Sequence, residues 1–238
     1  MLSLSLMNIK NIVITPNVDH LIKLQNDREF YDIYQKADYV VLDSMVLFKA
    51  LQFLGNPVKE VIAGSDFLPA FCEYHKNNEN IRIFLLGAMP GVGEKAMRNI
   101  NEKTGRNMVV GCYSPPFGFE KNMEECDFII SEIKNSGANV LAVGLGAPKQ
   151  EKWIFKYKQR LPGVDIFMAI GATIDFEADN IRRAPKFFRK NGLEWFYRLV
   201  SEPKRLWRRY LVEDLPIFLL LWKQKKGTYK NPFEIKAQ

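Results

Sequence analysis

The chain has few of the side chains that crosslink small proteins through disulfides or metal ions. Among its 238 residues only three are cysteine and two are histidine. The odd number and wide spacing of the cysteines argue against a disulfide framework and favour a reducing compartment. No CxxC or HExxH pattern occurs, so a zinc site is not expected. These residues are Cys72, Cys112, Cys126, His20 and His75.

Long apolar runs are also missing. The longest candidate for a membrane span covers residues 215–222, which is far shorter than the roughly 18 consecutive apolar residues that a membrane-spanning helix needs. The first seven residues include leucines but no cationic start and no small-residue cleavage site, so a signal peptide is not predicted. We therefore expect a cytoplasmic protein without a membrane-spanning segment.

Acidic residues are scarce in only one part of the chain. Residues 1–181 contain 19 Lys and Arg against 22 Asp and Glu, a net charge of −3. Residues 182–230 contain 14 against 4, a net charge of +10, so the overall charge of +7 comes from the C-terminal fifth. This asymmetry predicts that the C-terminal part meets an anionic partner, which could be a nucleic acid, phosphate groups or an acidic membrane.

Short apolar runs alternate with amphipathic segments of helical period over most of the chain. Residues 11–15, 81–86, 139–143 and 165–170 have the composition of buried strands. Strands that alternate with helices of about 10–15 residues predict parallel βαβ units in a sheet covered on both faces. We therefore predict the α/β class, with a Rossmann-like parallel sheet in a body of residues 1–181. A basic, aromatic-rich helical appendage of residues 182–238 follows.

Some of the predicted helix boundaries are specific. Residues 19–35 have the pattern of a single helix, and Ser65 is suited to cap a helix over residues 66–76. Within the appendage, Pro185, Pro203 and Pro216 should divide the helical sequence into three pieces, because proline interrupts a helix interior.

Two glycine-rich turns follow predicted strands. Gly87 opens a turn whose spacing is neither GxGxxG nor a P-loop, so it either brings backbone N–H groups to a phosphate or packs a helix against a strand. Gly144 and Gly146 allow the same two interpretations. The polar run after them includes Lys149 and Gln150, which suits ligand binding outside the carboxyl ends of parallel strands.

Carboxylates stand in two informative places. Asp66 begins a predicted helix, where it either caps the first N–H groups or acts as a general base on a hydroxyl. Asp175 and Glu177 form a D-x-E pair after the last strand. On an extended segment these two side chains would share one face and could bind a divalent cation, and otherwise they are surface charges of a turn.

Arginines concentrate in the appendage. On a helix that begins near Pro203, Arg205, Arg208 and Arg209 would share one face, with aromatic and aliphatic residues beside it. Guanidinium groups match a diphosphate bidentately, and the same chemistry serves DNA phosphates or anionic lipids. The alternative is a solvated basic helix face.

Taken in order, the motifs resemble one family, the WecG/TagA/CpsF glycosyltransferases. The resemblance extends over roughly residues 12 to 210. The matching strings are Thr15-Pro16-Asn17, Leu42-Asp43-Ser44, Ala63-Gly64-Ser65-Asp66, Pro90-Gly91-Val92, residues 144–151, Gly171-Ala172-Thr173, Arg183-Ala184-Pro185, residues 192–195 and residues 202–210.

The resemblance implies an inverting, metal-independent transferase without a cofactor. Members move a sugar from a UDP-sugar to a polyprenyl-diphosphate-linked sugar at the inner face of the cytoplasmic membrane, in the synthesis of bacterial surface polysaccharides. The basic appendage would then contact the diphosphate and an anionic membrane surface without spanning it. Exposed apolar residues on the appendage would also favour a homo-oligomer.

The resemblance also implies site residues. Asp66 matches the proposed catalytic base. Many members have Asp-Gly where this chain has Asp43-Ser44, which leaves open the choice among N-acetylmannosamine, its uronic acid, glucose and galactose as the transferred sugar. The expected substrate-binding residues are Thr15, Asn17, Asp43, Ser65, Gly87, Gly144, Gly146, Lys149, Gln150, Glu151, Thr173, Arg198, Arg205, Arg208 and Arg209.

Three other functional classes fit part of the sequence. The +10 segment would suit a nucleic-acid-binding protein, but no recognised DNA-binding motif accompanies it, so a nucleic-acid partner is not expected. An NAD(P)-dependent enzyme is suggested by the turn at Gly87, which lacks the dinucleotide spacing. A non-catalytic protein that binds a UDP-sugar would share most of the same motifs.

Overall fold

The computed structural model describes residues 10–59, 61–62, 64–181 and 183–234. Within these residues six strands form one sheet, all parallel, in the order β2-β1-β6-β5-β3-β4. The predicted α/β class with a Rossmann-like parallel sheet is confirmed. The strands are β1 (Asn11–Ile14), β2 (Tyr39–Val40), β3 (Ile83–Gly87), β4 (Val109–Tyr113), β5 (Val140–Gly144) and β6 (Ile166–Ala169).

Helices occupy most of the segments between and after the strands. A serine at the N-cap and a left-handed glycine after the last turn set the bounds of one of them, the helix Met45–Leu54 between Ser44 and Gly55. The helices are α1 (Val18–Lys23), α2 (Arg28–Gln35), α3 (Met45–Leu54), α4 (Gly64–Tyr74), α5 (Val92–Thr104), α6 (Met123–Ser136), α7 (Lys149–Tyr157), α8 (Thr173–Glu177), α9 (Lys186–Asn191), α10 (Glu194–Ser201), α11 (Pro203–Arg208) and α12 (Pro216–Lys225).

The described residues divide into two compact units. The sheet unit contains residues 10–14, 36–40 and 64–181, and the C-terminal unit contains residues 15–35, 41–59, 61–62 and 183–234. One division therefore falls beside the predicted boundary at 181/182, but two N-terminal segments group with the C-terminal residues. The assignment of catalysis to one part and membrane contact to the other stays a prediction.

The sheet unit is built around apolar strands. β1, β3 and β6 are buried over their whole length, which requires cover on both faces of the sheet and explains their near-continuous Ile, Val, Leu and Phe content. Helix α5 packs against β3 and β4, and it also contacts α4 and α8.

The direction of the crossovers reverses between β3 and β5. From β3 the chain passes through α5 to β4 on one side, and from β5 it passes through α7 to β6 on the other. Because such crossovers are right-handed, α5 and α7 belong to opposite faces of the sheet. In open α/β sheets the crevice outside the carboxyl ends of two such neighbouring strands is the usual ligand position.

The C-terminal unit is helical and differs from the predicted outline in two ways. Residues 19–35 form two helices rather than one, because the chain turns through residues 24–27. The appendage forms four helices and a π-helical turn (Arg209–Glu213) instead of three pieces. Pro203 and Pro216 open α11 and α12 at their first positions, where a missing N–H costs nothing, and the additional break falls at residues 192–193.

No helix in the described part of the chain is both long and apolar enough to cross a membrane. The first seven residues, on which the signal-peptide prediction was made, lie outside the described residues.

Candidate functional site

Three loops at the carboxyl ends of β3, β5 and β6 touch through their glycines. A Cβ atom on Gly87 would lie 2.4 Å from the Gly144 carbonyl oxygen, and one on Gly144 would lie 2.7 Å from the Gly171 carbonyl oxygen. Gly87 also has φ +126°, a conformation that only glycine adopts readily. Close packing of backbone on backbone is therefore sufficient to explain Gly87 and Gly144, and their contact with substrate stays a prediction.

Gly146 differs from these two glycines. It has φ +79°, and no heavy atom lies within 4 Å of where its Cβ would be. Its carbonyl oxygen accepts a hydrogen bond from the Gln150 N–H (3.1 Å) at the start of α7. The loop after β5 therefore has an open side at Gly146, next to the reversal between β3 and β5.

A buried amide joins the loops after β5 and β6. Gln150 is 1% exposed, and its Oε1 accepts from the Gly171 N–H (3.1 Å) while its Nε2 donates to Glu151 Oε1 (2.8 Å). Thr173, also buried, donates its hydroxyl proton to the Ile170 carbonyl oxygen (2.6 Å). These contacts fix the backbone of both loops, so Gln150, Glu151 and Thr173 shape the carboxyl-end edge of the sheet.

Lys149, at the start of α7, has partners that the sequence interpretation missed. Its ammonium group pairs with Glu120 Oε2 (3.3 Å) and lies 5.7 Å and 5.9 Å from the ring centroids of Phe117 and Phe119. Burial opposes ionisation of Glu120, but a backbone hydrogen bond and the Lys149 charge outweigh it and lower the pKa of the Glu120 carboxyl. Phe117 is 97% exposed, so this cluster presents an aromatic ring and a positive charge to solvent.

Ser65 and Asp66 lie in the first turn of α4. The helix begins at Gly64, one residue before Ser65, so the prediction that Ser65 precedes the helix as its N-cap is wrong. Ala63, which belongs to the same sequence motif, lies outside the described residues. Ser65 is buried and Asp66 is half-buried. The first turn of a helix is a favourable position for a carboxylate because of the helix dipole, and Asp66 occupies it.

The D-x-E hypothesis is wrong because its two side chains belong to helix α8 instead of an extended segment. Residues two apart on an α-helix point about 200° apart and cannot share one ion. Glu177 pairs with Lys103 (2.9 Å), and Asp175 Oδ1 accepts from Asn180 (3.1 Å). Among the described residues, no group of three or more His, Cys, Asp or Glu is placed to hold a metal ion.

In the C-terminal unit the structure brings together two predicted substrate residues, Asn17 and Arg209, which are 192 positions apart in the sequence. Asn17 caps α1, and its Oδ1 accepts both from the His20 N–H and from an Arg209 guanidinium nitrogen, each at 3.3 Å. Arg209 also lies 3.5 Å from Asp19 Oδ2 and 3.9 Å from Asp214 Oδ2. Two carboxylates and a helix cap therefore determine the position of this guanidinium.

The surroundings of Arg209 contain titratable groups that the sequence did not single out. Burial raises the pKa of the Asp214 carboxyl to about 6, although the positive charge of Arg209 opposes the increase. Burial also lowers the pKa of the His20 imidazole to about 3. The signal available in the sequence was Asp214 itself, which is one of only four acidic residues in a segment of net charge +10.

The other predicted residues of the C-terminal unit have different surroundings. Arg205 pairs with Glu202 (2.8 Å), and Arg208 pairs with Glu213 (3.1 Å) with 74% of its side chain exposed. The three arginines therefore do not form one uniform face. Arg198 is half-buried in α10, and Thr15 is buried directly after β1. The Asp43 N–H donates to the Pro16 carbonyl oxygen (3.2 Å), and this hydrogen bond joins the segments that follow β1 and β2.

Comparison with known proteins gives matches over nearly the whole chain. A family model described as the glycosyl transferase WecG/TagA/CpsF family matches residues 3–231. The chain is also 26% identical over 225 residues to the N-acetylglucosaminyldiphosphoundecaprenol N-acetyl-beta-D-mannosaminyltransferase of Bacillus subtilis (strain 168). That match covers 93% of this chain and 84% of the relative.

Proposed function

Because the chain belongs to the WecG/TagA/CpsF family and is a glycosyltransferase, we propose that it moves a sugar from a UDP-sugar to a polyprenyl-diphosphate-linked sugar. The family match over residues 3–231 is the observation that carries this proposal. The name of the Bacillus subtilis relative specifies transfer of N-acetylmannosamine to N-acetylglucosaminyl-diphosphoundecaprenol. We propose the same class of acceptor here, in the synthesis of a bacterial surface polysaccharide.

Asp66 is proposed as the general base of an inverting transfer. Its carboxylate would take the proton of the acceptor hydroxyl while that oxygen attacks the anomeric carbon. The bond from the anomeric carbon to the UDP oxygen would break on the opposite face of the sugar. The half-buried position of Asp66 in the first turn of α4, within the sequence motif shared with the family, supports this role.

Cationic side chains would stabilise the charge that develops on UDP, so that no metal ion is needed. Fixed positive groups lower the barrier most when they are positioned before the reaction begins. Lys149, paired with Glu120, and Arg209, held by Asn17 and Asp19, are both fixed in this way. Arg205 and Arg208 are more exposed and would contribute through longer, more mobile contacts.

A lipid-linked acceptor requires the enzyme to meet the membrane. We propose peripheral contact with the inner face of the cytoplasmic membrane through the C-terminal helices. These helices combine a net charge of +10 with exposed tryptophans and phenylalanines, which is the composition of helices that lie in a membrane interface.

The proposal is tested by Asp66→Asn in an assay that resolves the lipid-linked disaccharide by mass spectrometry. We expect transfer to fall at least 100-fold, because general-base catalysis typically contributes a factor of 10²–10⁴, while UDP still raises the melting temperature of the variant. Asp127→Asn, which removes an exposed carboxylate paired with Arg160, is the control and should keep full activity. Normal turnover by Asp66→Asn would refute the assignment of the base.

Three further measurements separate the remaining alternatives. A UDP-dependent rise in melting temperature without turnover on any lipid-linked acceptor would favour a non-catalytic UDP-sugar-binding protein. Loss of activity in EDTA, with recovery on adding Mg²⁺ or Mn²⁺, would contradict metal independence. Steeply salt-dependent binding of an oligonucleotide, without any response to UDP, would favour the nucleic-acid alternative.

A further inference from the structure

The outward face of α12 is apolar, which is the reverse of an ordinary surface helix. Ile217 is the buried residue of this helix, whereas Leu215 just before it and Phe218, Leu219 and Trp222 within it are all at least half exposed. At 100° per residue these four side chains fall on one side of the helix axis. Such a surface exposes a contiguous apolar patch to water unless a partner covers it.

Lysines follow this apolar face at the C-terminal end of α12. Lys226 lies with its ammonium group 4.0 Å from the Trp222 ring centroid, and Lys225 donates to the Phe53 carbonyl oxygen (2.7 Å). Lys223 and Lys230 form no ion pair with any residue of the described ranges. The apolar face and these lysines together give the charge pattern that complements an anionic bilayer surface.

A cavity of about 320 Å³ opens beside these unpaired lysines. Lys223 and Lys230 line it together with Thr228, Tyr229 and Gln25. Its walls are fixed by backbone hydrogen bonds from Thr228 (2.9 Å) and Tyr229 (3.2 Å) to the Lys223 carbonyl oxygen, and by the Tyr229 hydroxyl, which donates to Gln25 Oε1 (2.8 Å). The volume is at the lower end of the range for small-molecule sites, which suits a polar headgroup rather than a whole lipid.

We propose that this cavity binds the glycerophosphate headgroup of an anionic phospholipid while the apolar face of α12 enters the acyl boundary. Lys223 and Lys230 line the cavity, form no ion pair with any described residue and match the charge of the phosphate. The Thr228 hydroxyl donates to the Lys223 carbonyl oxygen (3.2 Å) and the Tyr229 hydroxyl donates to Gln25, so these two groups shape the cavity wall. The adjoining apolar face selects a lipid over a free phosphate, because a free phosphate would leave Phe218 and Trp222 in water. This inference deepens the membrane contact proposed above and does not depend on the transfer chemistry.

The test compares Lys223→Gln with Lys226→Gln in co-sedimentation with phosphatidylcholine vesicles that do or do not contain phosphatidylglycerol. Both variants lose one charge at the C-terminal end of α12, but only Lys223 lines the cavity. Lys226→Gln should weaken partitioning to the anionic vesicles about fivefold, as expected for one lysine near a charged surface. Lys223→Gln should weaken it at least fivefold further, and Lys223→Gln combined with Lys230→Gln should lower the preference for phosphatidylglycerol more than Lys223→Gln alone.

Each alternative outcome overturns a distinct statement. Equal losses in the two single variants would show that charge alone acts, and the cavity proposal would fail while membrane contact stands. No partitioning of the unmodified protein to either vesicle would refute both. A rise in melting temperature with free glycerol 3-phosphate in the absence of vesicles would assign the cavity to a soluble phosphate ester and not to a lipid. Transfer activity of the unmodified protein is measured separately, so a failure of the proposed function remains distinguishable.

Discussion

The sheet unit and the C-terminal unit place apolar and charged side chains in opposite ways. In the sheet unit the strands β1, β3 and β6 are buried, and the polar site residues Gln150 and Thr173 bond to backbone at the strand ends. In the C-terminal unit Asp19 and Asp214 are buried around Arg209, whereas large apolar side chains such as Phe218 and Trp222 are exposed. One unit resembles an ordinary α/β core, and the other has the surface of a protein that needs a partner.

This difference shows which interactions position the candidate residues of each unit. The loops of the sheet unit are positioned by steric fit, because glycines allow three backbones to meet at the carboxyl ends of β3, β5 and β6. Arg209 is positioned by electrostatics, because two carboxylates and the Asn17 amide oxygen surround it. Substitutions that add volume should therefore damage the sheet unit most, and changes of charge or pH should damage the C-terminal unit.

The largest expected effect is that of Gly87→Ala in the sheet unit. The added Cβ would lie 2.4 Å from the Gly144 carbonyl oxygen, and φ +126° is strained for any residue with a Cβ. Backbone strain and overpacking together should lower the free energy of unfolding by about 3 kcal/mol or more. Urea denaturation followed by circular dichroism measures this change.

Gly163→Ala is the matched control, because no heavy atom lies within 4 Å of its Cβ position. It should change stability by less than about 0.5 kcal/mol, as is usual for surface substitutions. If the two variants were equally stable, steric fit at the strand ends would not be what positions these loops.

A smaller effect is expected for Arg209→Gln in the C-terminal unit. The change leaves Asp19 and Asp214 without their shared cation, which should cost about 2 kcal/mol, since the guanidinium is only 31% exposed. Arg208→Gln breaks a pair that is mostly exposed and should cost less than about 0.5 kcal/mol. Thermal unfolding of both variants at one pH gives the comparison.

Transfer assays on the same two variants sharpen the result. A loss of activity in Arg208→Gln without a loss of stability would identify Arg208 as a substrate contact. Equal stability of Arg209→Gln and the unmodified protein would mean that the cluster around Arg209 does not hold the C-terminal unit together, and the contrast between the two units would fail.

The sequence predicted the sheet unit better than the C-terminal unit for a physical reason. Buried parallel strands are contiguous apolar runs, so residues 139–143 and 165–170 already indicated β5 and β6. The Asn17–Arg209 contact joins residues 192 positions apart, and no local pattern contains that information.

Local backbone geometry limited the prediction of individual site residues as well. A glycine-rich turn has the same sequence pattern whether it binds a phosphate or packs tightly against a neighbouring backbone. The packing of Gly87 becomes visible only in the structure, where its Cβ would lie 2.4 Å from the Gly144 carbonyl oxygen. The D-x-E pair looked like a chelating pair only on an extended segment, and helix α8 separates its side chains. Asp214 was overlooked because nothing in the local sequence distinguishes it from the other three acidic residues of the segment 182–230.

The smallest expected effect is a pH dependence specific to the C-terminal unit. Asp214 titrates near 3.8 when unfolded and has a pKa of about 6 in the folded protein, where Arg209, Asp19, Lys23 and Glu213 surround it. Between these pH values the folded protein keeps a proton that the unfolded chain releases, so this group makes stability fall as pH rises from about 4 to about 6.

His20 acts in the opposite direction. Its pKa is about 3 in the folded protein against 6.5 when unfolded, so its contribution to stability is lost as pH falls below 6.5. The two groups therefore largely compensate in the unmodified protein between pH 4 and 6.

Asp214→Asn removes one side of this balance, and its melting temperature should drop more steeply from pH 7 to pH 5 than that of the unmodified protein, by the equivalent of about 1 kcal/mol. His20→Gln should show the reverse slope, and Asp127→Asn, an exposed carboxylate of the sheet unit, should follow the unmodified protein. Parallel curves for all four proteins would mean that buried charge in the C-terminal unit does not set its stability, and the electrostatic half of the comparison would be wrong.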